Sequence, residues 1–241
     1  LQERGRVTVI DLARRFATSA VTIRADLAAL ERAGSVVRSH GGALLPREGL
    51  DQPLTVKETL HHAEKVRIAR LALSLIRDGE TIILDSGTTT AEIAKQICEA
   101  PLQSINVITN ALNVAMLLAS APMVRLIMPG GILRRESDSL SGHIGEAALA
   151  ELRADRLFLG AGAIDPALGV MTPRLPEAQL NLKMIEIARQ VVAVADSSKL
   201  MRRNISVIAR VEQLDTLITD SAAPPAVVDE LRRRGVEVLL A

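Results

Sequence analysis

Asp85-Ser86-Gly87-Thr88-Thr89-Thr90 joins a short apolar run, Thr81–Leu84, to a helical pattern. The glycine permits close backbone approach, the hydroxyls donate, and the start of a helix offers unpaired amides at the positive end of its dipole. That is phosphate-holding chemistry. The turn lacks the lysine and spacing of a nucleotide P-loop, so a small phosphorylated ligand fits better than a nucleoside triphosphate. An ordinary capped strand-to-helix turn would use the same residue types. Other corners repeat the pattern: Thr109-Asn110, Pro129-Gly130-Gly131 with Arg134 and Arg135 behind it, Ser141-Gly142, and Asp196-Ser197-Ser198-Lys199, which adds a cation. Each alone is loop chemistry, but five at corresponding strand ends point to one shared rim.

Other candidates carry less. Gly160-Ala161-Gly162-Ala163 lacks the third glycine and the first-unit placement of a dinucleotide loop. His61-His62 reads as solvated rather than metal-binding, and His143 sits in a Ser-Gly loop. Cys98, Met116, Met128 and Met184 read as core, and Arg232-Arg233-Arg234 as a solvated helix end favoured by the dipole. We expect no catalytic residue, metal or cofactor.

A rim needs elements to build it. Short β-branched runs occur at Thr81–Leu84, Asn106–Thr109, Met123–Met128, Leu157–Leu159, Val191–Ala195, Thr216–Thr219 and Val236–Leu240. Helical patterns lie between most of them: Thr89–Glu99, Ala111–Ala119, Ile144–Leu152, Pro176–Arg189 and Ala226–Arg234. A further helix is expected over 59–76. Alternation of this kind predicts an α/β domain with a mostly parallel sheet, and strands apolar throughout predict cover on both faces. Ligands of open α/β sheets bind beyond the carboxyl ends of the strands, where these corners fall.

Ahead of this domain, Thr18 to Gly42 reads as a helix for DNA followed by a β wing. Ser19 is an N-cap, and Ile23, Leu27 and Leu30 make one face apolar. Gly34 stands where the helix should end, and Gly41-Gly42 suit the wing tip. A preceding helix is capped by Thr8 with Asp11 at N3, and lined by Val9, Leu12, Ala13 and Phe16. The tight gap from Phe16 to Ser19 makes the pair a helix-turn-helix. Residues 1–47 hold eight arginines against four acids, whereas the remainder is slightly acidic. A basic head on a near-neutral body suits DNA binding. An ordinary helical hairpin is the plainer alternative.

The chain divides as a winged helix-turn-helix over 1–44, a linker over 45–58 with proline and no periodicity, and a ligand domain over 59–241. It begins at Leu1 and lacks a full helix before Thr8, so residues ahead of it are expected. With 48% hydrophobic residues but only Phe16 and Phe158 aromatic, the core must be aliphatic. That composition also argues against a single-strand binder that stacks bases on aromatic rings. One cysteine excludes an internal disulfide and suits a reducing cytoplasm. No run approaches the roughly 20 apolar residues of a membrane span.

These motifs, in this order, give a resemblance. TIR-DL at Thr22, Ile23, Arg24, Asp26 and Leu27, His40-Gly41-Gly42-Ala43, LDSGTT at 84–89, VITN at 107–110, the glycines at 130–131, the Ser-Gly at 141–142, EAQLN at 177–181, DSSK at 196–199 and ITD at 218–220 resemble DeoR-type bacterial transcriptional regulators along the whole chain. The resemblance implies a winged helix-turn-helix head and a sensor domain similar to ribose-5-phosphate isomerase and glucosamine-6-phosphate deaminase. It implies a repressor of a sugar-catabolism operon, released by a phosphorylated sugar, with segment 175–199 nearest to amino-sugar or hexitol members. Asp85, Ser86, Gly87, Thr88, Thr89, Asn110, Gly131 and Lys199 would line the effector site, with Glu177 and Lys183 as weaker candidates. Ser19, Val21, Thr22 and Arg24 would face the major groove of a double-stranded DNA operator, with Arg38 and His40 on phosphate or in the minor groove. Ala25 stands where the family usually carries a second arginine, which should alter affinity or operator preference. A homo-oligomer, dimer or tetramer, is expected because paired heads read paired half-sites. The alternative is an isomerase- or deaminase-like enzyme with an appended head. Its acidic loop, however, corresponds to Gly160–Ile164, which has no carboxylate before Asp165, and general-base catalysis needs one within reach of the substrate. A DNA-bound scaffold with a vestigial pocket is the third reading.

Overall fold

A computed structural model describes residues 6–32, 36–39, 41–44 and 54–241. Contacts separate the chain into two compact units, Leu1–Leu60 and His61–Ala241.

The first unit holds β1 (Arg6–Thr8), α1 (Val9–Arg15), α2 (Ala20–Arg32), β2 (Val37–Ser39), β3 (Gly42–Leu44) and α3 (Leu54–Thr59). Both expected caps form. Thr8 Oγ1 accepts from Asp11 N at 3.1 Å, and Ser19 Oγ accepts from Thr22 N at 3.0 Å. Ala17, at φ +48°, makes the tight turn between the helices. Val9, Ile23, Leu27, Val36 and Ala43 form the core of this unit. Leu30 and Phe16, expected on the apolar faces, are 42% and 65% exposed. Phe16 is the C-cap of α1, where the chain already leaves the helical stripe. Leu30 lies one turn past the small core that Ile23 and Leu27 reach.

The sequence did not anticipate β1, which pairs antiparallel with β3 through Val7↔Ala43 and makes a three-stranded wing in the order β1-β3-β2. The two wing glycines therefore differ in role. Gly41 takes the turn at φ +76°, whereas Gly42 lies within β3, where a Cβ would stand 2.0 Å from the Val7 carbonyl oxygen. Helix α3 occupies residues 54–59, so the end of the stretch expected as linker is helical; 45–53, like His40 and Gly34, lies outside the described residues.

In the second unit α4 (His62–Leu73) precedes β4 (Thr81–Leu84), α5 (Thr88–Glu99), β5 (Ile105–Thr109), α6 (Leu112–Leu118) and β6 (Val124–Ile127). A hairpin of β7 (Ile132–Arg134) and β8 (Ser139–Ser141) leads to α7 (His143–Ala150), β9 (Ala154–Gly160), β10 (Ala163–Asp165) and β11 (Gly169–Thr172). Then come α8 (Leu175–Ile187), β12 (Ala188–Val194), a 3-10 turn at Ser197–Lys199, β13 (Ser206–Ala209), β14 (Thr216–Thr219), α9 (Pro225–Arg233) and β15 (Glu237–Leu240). The helix expected from 59 starts only at His62, because His61 sits at φ +51°.

All seven expected strands join one parallel sheet in the order β15-β14-β12-β9-β4-β5-β6. The strands are apolar on both faces because both are covered. Ile82, Leu84 and Phe158 pack with α4, α5 and α6, while Ile83, Leu157 and Leu159 pack with α7, α8 and α9. Burying one such side chain stabilises the fold by about 1.5–3 kcal/mol. The chain runs outward from β4 through β5 to β6, then returns to place β9 on the other side of β4. The order thus reverses between β4 and β9, and ligands of such sheets bind in the crevice at that reversal.

The hairpin β7-β8 and the antiparallel sheet β10-β11-β13 were not anticipated. Strands of three or four residues are too short for alternation to be read. Met116 and Met128, expected in the core, are 78% and 36% exposed, whereas Met184 is buried. Met116 faces outward from α6, and Met128 follows the edge strand β6. Cys98 is half-buried.

Candidate functional site

The reversal places two corners side by side. After β4 comes the Asp85–Thr90 turn; after β9 comes Gly160. Gly160 N donates to Asp85 Oδ2 at 3.2 Å, and a Cβ on Gly160 would stand 3.2 Å from the Ser86 carbonyl oxygen. Asp85 is buried and its carboxylate is fully engaged. Oδ1 accepts from Ser86 N at 2.6 Å, and Oδ2 also accepts from Asn181 Nδ2 at 3.2 Å. Burial pushes the Asp85 carboxyl well above the usual range, Glu177 pushes it the same way, and the three hydrogen bonds only partly oppose them. Asp85 therefore braces the turn from behind. Ser86, Gly87 and Thr88 are partly accessible, while Thr89 and Thr90 are buried. Gly87 caps α5 without a side-chain bond, and the first turn of α5 carries no acid. The first amides of this 12-residue helix thus meet neither a cap side chain nor an acid of the first turn.

One strand further along, Asn110 follows β5 and meets the hairpin, its Nδ2 donating to the Leu140 carbonyl at 3.0 Å. Gly131 packs so tightly on Ser141 that a Cβ would stand 2.7 Å from that carbonyl oxygen, at φ +129°. Between hairpin and α8 lies a cavity of about 80 Å³, lined by Asn110, Arg134, Ser139, Ser141, Arg174, Pro176 and Glu177. Arg134 approaches Glu177 at 3.7 Å and Glu136 at 3.6 Å. Its pKa is lowered by burial first and by Arg174 second, with the two glutamates opposing. The cavity takes in Asn110 and Glu177 from the expected set. Ser86, Gly87, Thr88, Thr89 and Lys199 are not among its lining residues.

Lys199 lies in the 3-10 turn after β12, a strand that stands two places, about 10 Å, from β4 in the sheet. Its turn is held rigidly. Asp196 caps it by accepting from Ser198 N at 3.1 Å, and Asp220 accepts from Ser197 N at 3.0 Å. Lys183 pairs with Glu186 at 2.7 Å on α8 and does not line the cavity.

In the first unit, Val21, Thr22 and Arg24 are exposed on α2 and Ser19 is exposed just before it, while Ile23 and Leu27 face inward. Val21 and Arg24 thus share the outward side with Thr22. Arg38 lies on β2 opposite Ala43.

Residues 60–221 match the DeoR C terminal sensor domain, and residues 1–48 match the DeoR-like helix-turn-helix domain. This chain belongs to the DeoR family. It is a DNA-binding transcriptional regulator. A putative aga operon transcriptional repressor of Escherichia coli O157:H7 is 41% identical over 243 residues, covering 100% of this chain and 90% of that protein. The HTH-type transcriptional repressor GlcR of Bacillus subtilis is 33% identical over 100% of this chain and 92% of its own length. The glycerol-3-phosphate regulon repressor of Escherichia coli K12 is 31% identical, over 100% and 94%. Among solved structures, ribose 5-phosphate isomerase A of Methanocaldococcus jannaschii aligns at 20% identity over 58% of this chain and 55% of that one, with a TM-score of 0.44.

As DeoR-family relatives over the full length are regulators, the enzyme alternative gives way. The local chemistry at Asp165 agrees. Burial raises the Asp165 carboxyl, but bonds from Arg203 Nε (2.6 Å), Ala167 N and Leu168 N outweigh it and hold the pKa below the usual range. A carboxylate so engaged is a poor base. Sequence reasoning about this DeoR-family chain missed Asn181 as the partner of Asp85, and Ser139 and Arg174 as cavity walls. The spacing of Glu177 and Asn181, four apart on a helix opened by Pro176, was the available sign for Asn181. Among the described residues, no helix is long and apolar enough to cross a membrane.

Proposed function

We propose that this regulator represses a sugar-catabolism operon and that a phosphorylated sugar controls its affinity for the operator. The effector phosphate sits on the Ser86–Thr90 turn, taking amides at the start of α5 and the Ser86, Thr88 and Thr89 hydroxyls, with Lys199 supplying charge across the edge. Gly87 and Gly131 allow close approach, Asn110 meets the sugar, and Asp85 holds the turn. The observation that carries this is the turn's position at the strand reversal, beside a helix N-terminus with no cap side chain and no acid in its first turn. Relatives named as repressors of an aga operon and of a glycerol-3-phosphate regulon support the sign and the class of metabolite.

The head spans 1–44 and the sensor 59–241. Ser19, Val21, Thr22 and Arg24 read the major groove, and Arg38 with His40 contacts the backbone or minor groove. A homo-oligomer presents paired heads to paired half-sites in cytoplasmic DNA. The effector shifts operator affinity by binding the DNA-competent and DNA-free states unequally. A gel-shift titration with a panel of sugar phosphates tests this. Release of operator by one of them is expected; no change with any of them counts against the effector role.

A further inference from the structure

The cavity between hairpin and α8 has a chemistry of its own. Asn110 is buried, and the Leu140 carbonyl fixes its amide orientation by taking Nδ2. Reversing the amide would set oxygen against oxygen. Asn110 Oδ1 is therefore an acceptor, and among the described residues no donor meets it. Buried acceptors are normally satisfied, so an unmet one beside a cavity marks where a ligand donor belongs. The same cavity is lined by Arg134, Arg174, Ser139, Ser141 and Glu177, with the Glu177 carboxylate 3.7 Å from the Arg134 guanidinium. At about 80 Å³ the space holds roughly half a dozen waters, by the 10–15 Å³ that each needs.

We propose that this cavity receives the end of the effector remote from its phosphate, and that it selects an uncharged, hydroxyl-bearing group. Vicinal hydroxyls donate to Asn110 Oδ1 and Glu177 while accepting from the guanidinium groups. An ammonium suits Glu177 but enters beside two guanidinium groups. A second phosphate or a carboxylate suits the arginines, yet brings no donor for Asn110 Oδ1 and faces Glu177. A site built to meet hydroxyls rejects groups that leave its polar atoms unpaired. This inference rests on the phosphate-turn reading above and adds the class of sugar.

Calorimetry on the full chain tests it, with inorganic phosphate, hexose and hexitol 6-phosphates, a 2-amino-2-deoxyhexose 6-phosphate and a hexose 1,6-bisphosphate. An uncharged phosphosugar should bind at least tenfold tighter than the amino sugar phosphate and the bisphosphate. Glu177→Gln, on the partly exposed first turn of α8, should narrow the gap to the bisphosphate, with melting confirming that the variant folds. If inorganic phosphate binds but charged and uncharged phosphosugars bind alike, or none binds tighter than phosphate, the cavity proposal is overturned and the phosphate turn stands. If neither phosphate nor any phosphosugar binds, both are overturned.

Discussion

Replacing Asp85 with asparagine probes the brace behind the proposed phosphate turn. The wild-type carboxylate accepts from Ser86 N, Gly160 N and Asn181 Nδ2, and more distantly from Ser86 Oγ at 3.5 Å. Asparagine keeps one oxygen, for Ser86 N. Its new amide meets Asn181, which can turn its own unpartnered Oδ1 to accept. Gly160 N is then left without an acceptor, at a cost of about 1–2 kcal/mol, the lower part of the range for an unmet buried group. The variant also removes a carboxyl whose pKa burial and Glu177 raise on folding. A raised folded pKa gives stability that is full below the unfolded value of about 3.9 and lost as pH rises through the folded value. The wild type therefore loses ground on the non-titrating variant as pH rises. Urea unfolding at pH 5 and pH 8 should show Asp85→Asn less stable at pH 5 by about 1–2 kcal/mol, with the deficit shrinking at pH 8. A deficit that stays constant or grows with pH refutes the reasoning, because it means that the hydrogen bonds outweigh burial.

Gly42→Ala drives a methyl into the Val7 carbonyl, 2.0 Å from the ideal Cβ, so the wing should open and operator binding should vanish in a gel shift, while the phosphate-induced rise in the melting of the sensor persists. Arg24→Ala should weaken operator binding and lower the slope of log K against log salt by about one unit, read by anisotropy over a salt series. Arg203→Ala removes one of the groups holding Asp165 below its usual range. Because that pKa is depressed on folding, the contribution is present above about pH 3.9 and lost as pH falls through the folded value. Arg203 is two-thirds exposed, so the loss at pH 7 should be about 1 kcal/mol. It should disappear on acidification, as measured by urea unfolding.

Local signals were legible and distant ones were not. The caps at Thr8 and Ser19 formed because cap chemistry is decided within four residues. All seven strands of the parallel sheet were visible as β-branched runs, since burial on both faces demands unbroken apolar sequence. Strand β1 was not visible. Three residues carry no period, and only pairing with β3, far along the chain, makes them a strand. The Asp85–Thr90 turn could be read as anion chemistry from its composition, but its bracing by Asn181, 96 residues away, could not. Nor could the cavity. It forms where the unanticipated hairpin β7-β8 meets α8, so Ser139 and Arg174 had no local reason to stand out.

Calorimetric titration of the full chain with a sugar phosphate and with the same sugar lacking the phosphate, on wild type and Lys199→Gln, goes straight to the anionic grip at the carboxyl edge of the sheet. The phosphorylated sugar should bind at least a hundredfold tighter than its parent, and the substitution should remove about tenfold, or 1.4 kcal/mol, from that difference. Equal binding of the two sugars, or a difference that Lys199→Gln leaves untouched, would contradict it.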